Sequence, residues 1–147
     1  MLGLSLKTFI TAGALTVLFI AGYNTAVGAI AQVYDDWQAP AMAAKDPNPI
    51  PATPASINAG SALFTQNCEA CHGADGQGDG PTGAFLSPHP ANLTTASFWK
   101  QGEGSIFWKI TTGHSPMPSF QDSLSKEQRW DVINYLHQKF DPDQQTR

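Results

Sequence analysis

The N-terminal part of the chain contains one long apolar run. Residues 8–33 carry no charged side chain over 26 positions, and a helix needs about 20 apolar residues to cross the hydrocarbon core of a bilayer. Lys7 precedes the run, and Asp35 and Asp36 follow it. Because positive flanks stay in the cytoplasm, residues 1–34 are predicted to be a single transmembrane anchor, with the rest of the chain outside.

A cleaved signal peptide is the alternative interpretation of the same run. It would have a shorter apolar region and a cleavage site of small residues, and Ala29-Ile30-Ala31 fits such a site. The length of the run favours a retained anchor. A mature chain that begins near Gln32, by N-terminal or intact-mass analysis, would contradict this prediction.

Residues 35–55 form a proline-rich segment. Its five prolines are Pro40, Pro47, Pro49, Pro51 and Pro54. Proline removes a backbone donor and favours the extended polyproline II conformation. The segment is therefore predicted to be a semi-rigid linker, in which residues 38–55 would reach roughly 50 Å at ~3.1 Å per residue. The globular domain is then residues 56–147.

Within the domain, apolar positions recur at helical spacing. Gly60 and Phe64 lie on a predicted helix that begins at an N-cap Ser56 and runs into the cysteine pair. A second, shorter helix is predicted from a cap at Ser105 to Gly113.

The last helix has the clearest pattern. Ser125 and Gln128 have the spacing of a capping box, and Asp141-Pro142 ends the helix. Its apolar stripe consists of Trp130, Ile133, Leu136 and Phe140. No stretch of the chain alternates as a strand does, so the predicted fold is all-α with long loops.

Composition narrows the picture further. The 147 residues include 11 prolines and 13 glycines, which leave a small core that needs support beyond apolar packing. The net charge of −4 argues against a nucleic-acid partner.

All the cysteine chemistry is concentrated in one motif. The chain has two cysteines, Cys68 and Cys71, and His72 follows directly in the sequence CEACHGADGQGDGP. A thioredoxin-like pair would need a βαβ pattern, and a structural zinc site would need four ligands at matching spacings; neither is present. A disulfide would leave His72 without a role. The C-x-x-C-H pattern predicts covalent attachment of one c-type haem, with His72 as an iron ligand.

With these residues, positions 56–140 resemble the class I cytochrome c family. The resemblance implies a class I cytochrome c fold wrapped around the haem, in which a helix before CEACH crosses the last helix. Gly60 and Phe64 match the family's contacts on the first helix, and Trp130 and Tyr135 those on the last.

The resemblance also implies the remaining haem contacts. Gly80-Pro81 matches the family's Gly-Pro, so the Pro81 carbonyl is expected to accept the N–H of the proximal histidine. Met117, in SPMPSF, matches the sixth ligand, and His/Met ligation raises the reduction potential. His114 is the main rival, and His89 is a weaker one.

Two tryptophans near the expected pocket are further candidates. Trp99 and Trp108 have indole N–H groups that can donate to a haem propionate. In both cases the alternative role is packing in the haem pocket or core.

Electron transfer is the function that this set of residues predicts. A haem with both axial positions filled has no open site, so the protein is expected to carry single electrons, without a small-molecule substrate and not as an enzyme. The alternative is a haem-based gas sensor or a peroxidase-like enzyme with a labile sixth ligand. The protein is expected to be either a tethered shuttle or a subunit of a respiratory or photosynthetic complex. The expected place is the bacterial inner membrane, crossed once, with the haem domain on the periplasmic side.

Overall fold

The computed structural model describes residues 37–145, and the predicted anchor at residues 1–34 lies outside them. The described chain forms six α-helices: α1 (Pro54–Asn67), α2 (Glu69–His72), α3 (Ala96–Trp99), α4 (Glu103–Thr112), α5 (Lys126–Phe140) and α6 (Pro142–Gln145). Two short 3-10 helices, Ala43–Lys45 and Gly83–Phe85, join them. No strand occurs among residues 37–145, so the prediction of an all-α domain is confirmed. In the same range, no helix is long and apolar enough to cross a membrane.

The centre of the fold is the crossing of α1 and α5. At Gly60 a Cβ atom would lie 2.0 Å from the Asp131 carbonyl oxygen, so only glycine lets the two backbones approach this closely. Phe64, 1% exposed, packs with its ring centroid 5.5 Å from those of Tyr135 and Phe140. The predicted contacts of Gly60 and Phe64 with Tyr135 are confirmed.

Trp130 packs against a different helix from the one predicted. Its ring stacks on Phe107 of α4, with centroids 4.2 Å apart and planes 10° from parallel. It is 2% exposed. Trp130 therefore joins α5 to α4, whereas Tyr135 joins α5 to α1.

The last helix begins as the sequence predicted. Gln128 N–H donates to Ser125 Oγ at 3.1 Å, and Ser125 N–H donates to Gln128 Oε1 at 2.8 Å, which completes the capping box. The four residues of the predicted stripe are all 4% exposed or less.

The starts of α1 and α4 differ from the predictions. Thr53 is the N-cap of α1, and its Oγ1 accepts from Ser56 N–H at 3.2 Å. Ser56 instead donates from Oγ to Asp131 Oδ1 at 2.5 Å across the helix crossing. Gly102 precedes α4 with φ +81°, and Ser105 lies buried inside the helix. In both cases a serine suited to capping is buried instead.

The proline-rich segment is not the extended linker that the sequence predicted. Residues 37–53, called here the docked segment, belong to the same compact unit as the helices. Asn48 Nδ2 donates to Asn134 Oδ1 at 2.8 Å, and Asn134 Nδ2 donates to the Ile50 carbonyl at 3.1 Å. Ala43 is 8% exposed, and its carbonyl oxygen lies against Gly104 of α4. These contacts outweigh the preference of proline for a free extended chain.

Candidate functional site

The cysteine motif occupies one helical turn. The backbone N–H groups of Cys71 and His72 both donate to the Cys68 carbonyl, at 3.1 and 2.9 Å. This turn follows α1 directly, because Cys68 N–H still bonds to the Phe64 carbonyl at 2.8 Å. The two free thiols are thus held three residues apart on a turn anchored to the helix crossing.

The Cys68 thiol is not set up for redox exchange. Burial raises the pKa of the Cys68 thiol to about 12, and the neighbouring Cys71 adds to the rise. Exchange requires a thiolate, and reactive cysteines have a lowered pKa. The site therefore argues against a thioredoxin-like pair.

His72 has its tautomer fixed by a backbone contact. Nδ1 lies 3.1 Å from the Ala91 carbonyl oxygen, and because a carbonyl can only accept, Nδ1 carries the proton. The lone pair of Nε2 is then available for a metal. Burial lowers the pKa of His72, and the bond to Ala91 acts in the opposite direction. The imidazole is thereby prepared as a neutral ligand.

The acceptor of this bond differs from the predicted one. The sequence pointed to the carbonyl of Pro81, but Ala91 makes the contact, so that prediction is wrong. Pro81 is exposed, and the preceding Gly80 N–H donates to the Cys71 carbonyl at 3.1 Å. The chain reaches the imidazole only after the loop has turned back at residue 91.

The glycine-rich loop lies directly on the backbone of the cysteine turn. Gly78 N–H donates to the His72 carbonyl at 2.7 Å, and Thr82 N–H donates to the Ala70 carbonyl at 2.8 Å. A Cβ atom at Gly80 would lie 2.5 Å from the Ala70 carbonyl oxygen, and one at Gly83 would lie 2.2 Å from that of Cys71. Glycine is needed because the loop and the turn touch through their backbones.

Met117 lies in a short loop after α4. Its N–H donates to the His114 carbonyl at 2.8 Å, and His114 N–H donates to the Met117 carbonyl at 2.9 Å. Pro116 and Pro118 flank it, and its side chain packs against the core while remaining partly exposed. Met117 as sixth iron ligand stays a prediction.

The rival histidines have other contacts. The His114 ring stacks on Trp37, with centroids 5.4 Å apart. His89 Nδ1 donates to the Gly83 carbonyl at 3.2 Å.

Trp99 uses its indole N–H inside the protein. Nε1 donates to the Leu93 carbonyl at 2.8 Å, two residues after Ala91. The sequence predicted this indole N–H as a donor to a haem propionate, but it donates to the backbone instead. Trp99 instead helps to fix the loop whose carbonyl holds His72.

A charged cluster beside Trp99 was not foreseen from the sequence. His137 stacks on Trp99 with centroids 5.2 Å apart. Its Nδ1 lies 2.9 Å from Glu103 Oε1, and its Nε2 lies 2.8 Å from Asp141 Oδ2. The only local signal was the spacing of His137 and Asp141 on one helical face. The cluster ties α3, α4 and the end of α5 together on the side of the loop that contacts His72.

The residues of this site fit a covalent haem. Two thiols and an imidazole with a free Nε2 lie on one turn, and a thioether lies in a separate loop. These are the attachment groups and axial ligands that a c-type haem uses. No cluster of three or more histidine, cysteine or acidic residues suited to a bare metal ion occurs within residues 37–145.

Comparisons with known proteins agree with this chemistry. Residues 55–136 match the family described as cytochrome c oxidase, cbb3-type, subunit III. The match begins inside α1 and ends inside α5, so it covers the cysteine turn, the glycine-rich loop and the Met117 loop.

Individual relatives include both complex subunits and a small cytochrome. The chain is 34% identical to the cytochrome bc1 complex cytochrome c subunit of Corynebacterium diphtheriae, over 56% of this chain and 27% of that protein. It is 32% identical to cytochrome c6 of a Nostoc species, over 63% of this chain and 79% of that protein. The chain therefore spans only about a quarter of the first relative and most of the second.

A solved structure shares the fold. A chain of the reducing HAO-like protein complex of Kuenenia stuttgartiensis superimposes with a TM-score of 0.54 and 31% sequence identity. The similarity covers 60% of this chain and 45% of that chain. The same helical arrangement is thus found within a larger redox assembly.

Proposed function

The chain belongs to the cytochrome c family described by cbb3-type cytochrome c oxidase subunit III, and from this premise we propose that it is a membrane-anchored monohaem cytochrome that passes single electrons between redox proteins. Its cofactor is one covalently bound haem c. The haem supplies a one-electron redox couple. The residues of this chain would hold, orient and enclose the haem.

One observation supports the proposal most strongly. His72 follows both thiols on a single turn, and the Ala91 carbonyl fixes its tautomer. The Cys68 and Cys71 side chains would hold the cofactor covalently, and Nε2 of His72 would be the first axial ligand. Met117 would be the second ligand, in a loop restricted by its two bonds to His114. With both axial positions filled, no substrate site remains.

Replacement of Met117 tests this ligand set. Met117→Ala is expected to keep the covalent haem, because Cys68 and Cys71 are unchanged, but to abolish the thioether-to-iron absorption of the ferric protein. The ferrous variant is expected to bind carbon monoxide rapidly. Met42→Ala is the matched control, since Met42 is 78% exposed and far along the chain from the motif.

Two outcomes would contradict this ligand set. An unchanged thioether signature in Met117→Ala would refute Met117 as ligand. Rapid carbon monoxide binding by the unaltered protein, without denaturant, would favour the gas-sensor or peroxidase-like alternative.

We further propose that the protein is a fixed subunit of a membrane redox complex rather than a swinging shuttle. Residues 1–34 would form its single transmembrane helix, with the haem domain on the periplasmic side of a bacterial inner membrane. The docked segment supports the fixed arrangement, because residues 37–53 lie on the domain and do not act as a long arm. The relative in the bc1 complex is also a subunit.

A native separation of membranes in mild detergent tests the arrangement. The gel is stained for covalent haem, and mass spectrometry then identifies every chain in the stained band. Migration in a large assembly is expected, and the co-migrating chains would identify the pathway. A haem band that is membrane-bound but contains this chain alone would establish a shuttle instead.

A further inference from the structure

The first described residue, Trp37, contacts the loop that carries Met117. We propose that Trp37 is a positioning residue: through His114 it restrains the Met117 loop and so stabilises the thioether on the haem iron. The proposal rests on the proposed function, in which Met117 is the sixth ligand. It couples the start of the haem domain to the redox centre.

The contact is an aromatic stack reinforced by a cation. The rings of Trp37 and His114 have centroids 5.4 Å apart and planes 30° from parallel. Lys109 Nζ, on α4, lies 5.2 Å from the centroid of the Trp37 ring. The positive charge of a lysine is attracted to the face of an indole ring. A stacked aromatic pair contributes stabilisation beyond that of the apolar area it buries. Trp37 thus lies against both α4 and the loop that follows it.

His114 transmits this restraint to Met117 through the backbone. The two residues exchange N–H to carbonyl bonds of 2.9 and 2.8 Å, which close the loop on itself. A displacement of His114 must therefore move Met117 or break both bonds.

The other end of the loop is held independently. Ser119 Oγ donates to the Thr111 carbonyl at 2.7 Å, and Phe120 N–H donates to the Ile110 carbonyl at 3.1 Å. Those bonds fix the residues after Met117 to the end of α4. The His114 ring, on the exposed side before Met117, has the stack with Trp37 as its restraint. The backbone before His114 is bonded to α4, since Gly113 N–H donates to the Lys109 carbonyl at 2.9 Å, and Trp37 adds a restraint on the His114 side chain.

Trp37 is itself held in place by the docked segment. The Ala43 N–H donates to the Pro40 carbonyl at 2.8 Å, and Ala43 is buried against Gly104 of α4. Three residues before that bond, Trp37 reaches the other end of the same helix. The segment therefore fixes Trp37 from its C-terminal side.

The test uses the full-length, haem-loaded protein and four forms: unaltered, Trp37→Ala, Trp37→Phe and Met42→Ala. Hydrogen exchange is measured at the amides of His114 and Met117, together with the thioether absorption and the rate of carbon monoxide binding. In Trp37→Ala, both amides are expected to exchange about two- to tenfold faster, the factor for loss of one aromatic contact. Carbon monoxide binding is expected to accelerate by a similar factor.

The other variants separate positioning from general stability. Trp37→Phe keeps a stacking ring and is expected to restore most of the protection, whereas Met42→Ala, in the same segment, is expected to change nothing. In Trp37→Ala, amides within α5 are expected to keep their protection. Unchanged exchange at His114 and Met117, or equally faster exchange throughout α5, would overturn the proposal.

The measurements distinguish an error in the ligand set from an error in the role of Trp37. If the unaltered protein has no thioether absorption, Met117 is not the ligand and the proposed ligand set is wrong, along with the effect claimed for Trp37 at the iron. If the thioether absorption is present but amide exchange at His114 and Met117 and carbon monoxide binding are insensitive to Trp37→Ala, only the positioning role is refuted.

Discussion

At the scale of single residues, the site depends on backbone atoms in the right places. The Ala91 carbonyl sets the tautomer of His72, and the carbonyls of Ala70 and Cys71 receive the glycine-rich loop. No side chain of these partner residues is needed for the contact, so their amino-acid types carry little signal in the sequence. Cys68, Cys71 and His72 form a local pattern and were predicted directly. The acceptor at Ala91 was missed because it depends on where an 18-residue loop, from residue 73 to residue 90, turns back.

Gly83→Ala tests how closely the loop approaches the cysteine turn. The added methyl group would lie 2.2 Å from the Cys71 carbonyl oxygen and 3.0 Å from that of Gly78, and backbone atoms cannot rotate away. The free energy of unfolding is expected to fall by about 1–3 kcal/mol, the usual cost of overpacking. Denaturant titration of the haem protein measures it. The exposed neighbour Thr82→Ala is the control and should stay within about 0.5 kcal/mol; an equally small effect at Gly83 would contradict the close contact.

At the scale of secondary-structure elements, local sequence signals predicted which helices form, whereas tertiary contacts determined where some of them begin. The α5 helix followed its capping box and apolar stripe, because both lie within one stretch of chain. The starts of α1 and α4 did not follow their serines, because Ser56 bonds to Asp131 and Ser105 is buried. Asp131 lies 75 residues from Ser56 in the sequence. Helix existence could thus be predicted from periodicity, whereas the first residue of a helix depended on packing.

Ser125→Ala measures what the capping box contributes to α5. The change removes the acceptor for Gln128 N–H, now 3.1 Å from Ser125 Oγ. Loss of an N-cap costs about 0.5–2 kcal/mol of stability. Because α5 forms the core crossing with α1, this cost should appear in global unfolding by denaturant, while the thioether absorption stays unchanged. Ser123→Ala, an exposed serine two residues earlier, should have no measurable effect. Equal stability of the two variants would show that the cap is dispensable.

At the scale of the whole domain, the docked segment changes what the molecule can do. Its composition predicted a linker, because a high proline content indicates few backbone donors. It does not indicate which residues the segment contacts. The partners here are Asn134 on α5 and the Gly104 face of α4, neither of which has a recognisable pattern. With residues 37–53 bound, the compact domain begins at residue 37 and not at residue 56. A complex that receives electrons at a fixed position needs such an arrangement more than a shuttle does.

Gly104→Ala separates the docking of this segment from the stability of the helix beneath it. Gly104 lies in the first turn of α4, and alanine is a better helix former than glycine, so α4 alone would not be destabilised. The new Cβ atom, however, would lie 2.0 Å from the Ala43 carbonyl oxygen and 2.7 Å from that of Asp46. The segment is therefore expected to detach while the helical core and the covalent haem remain. Limited proteolysis should then cut within residues 37–53 several-fold faster than in the unaltered protein, and Lys45→Ala, at an exposed position of the same segment, should not change the rate. If Gly104→Ala is cut no faster and unfolds at higher denaturant, the segment does not depend on this contact, and the case for a fixed subunit loses its structural support.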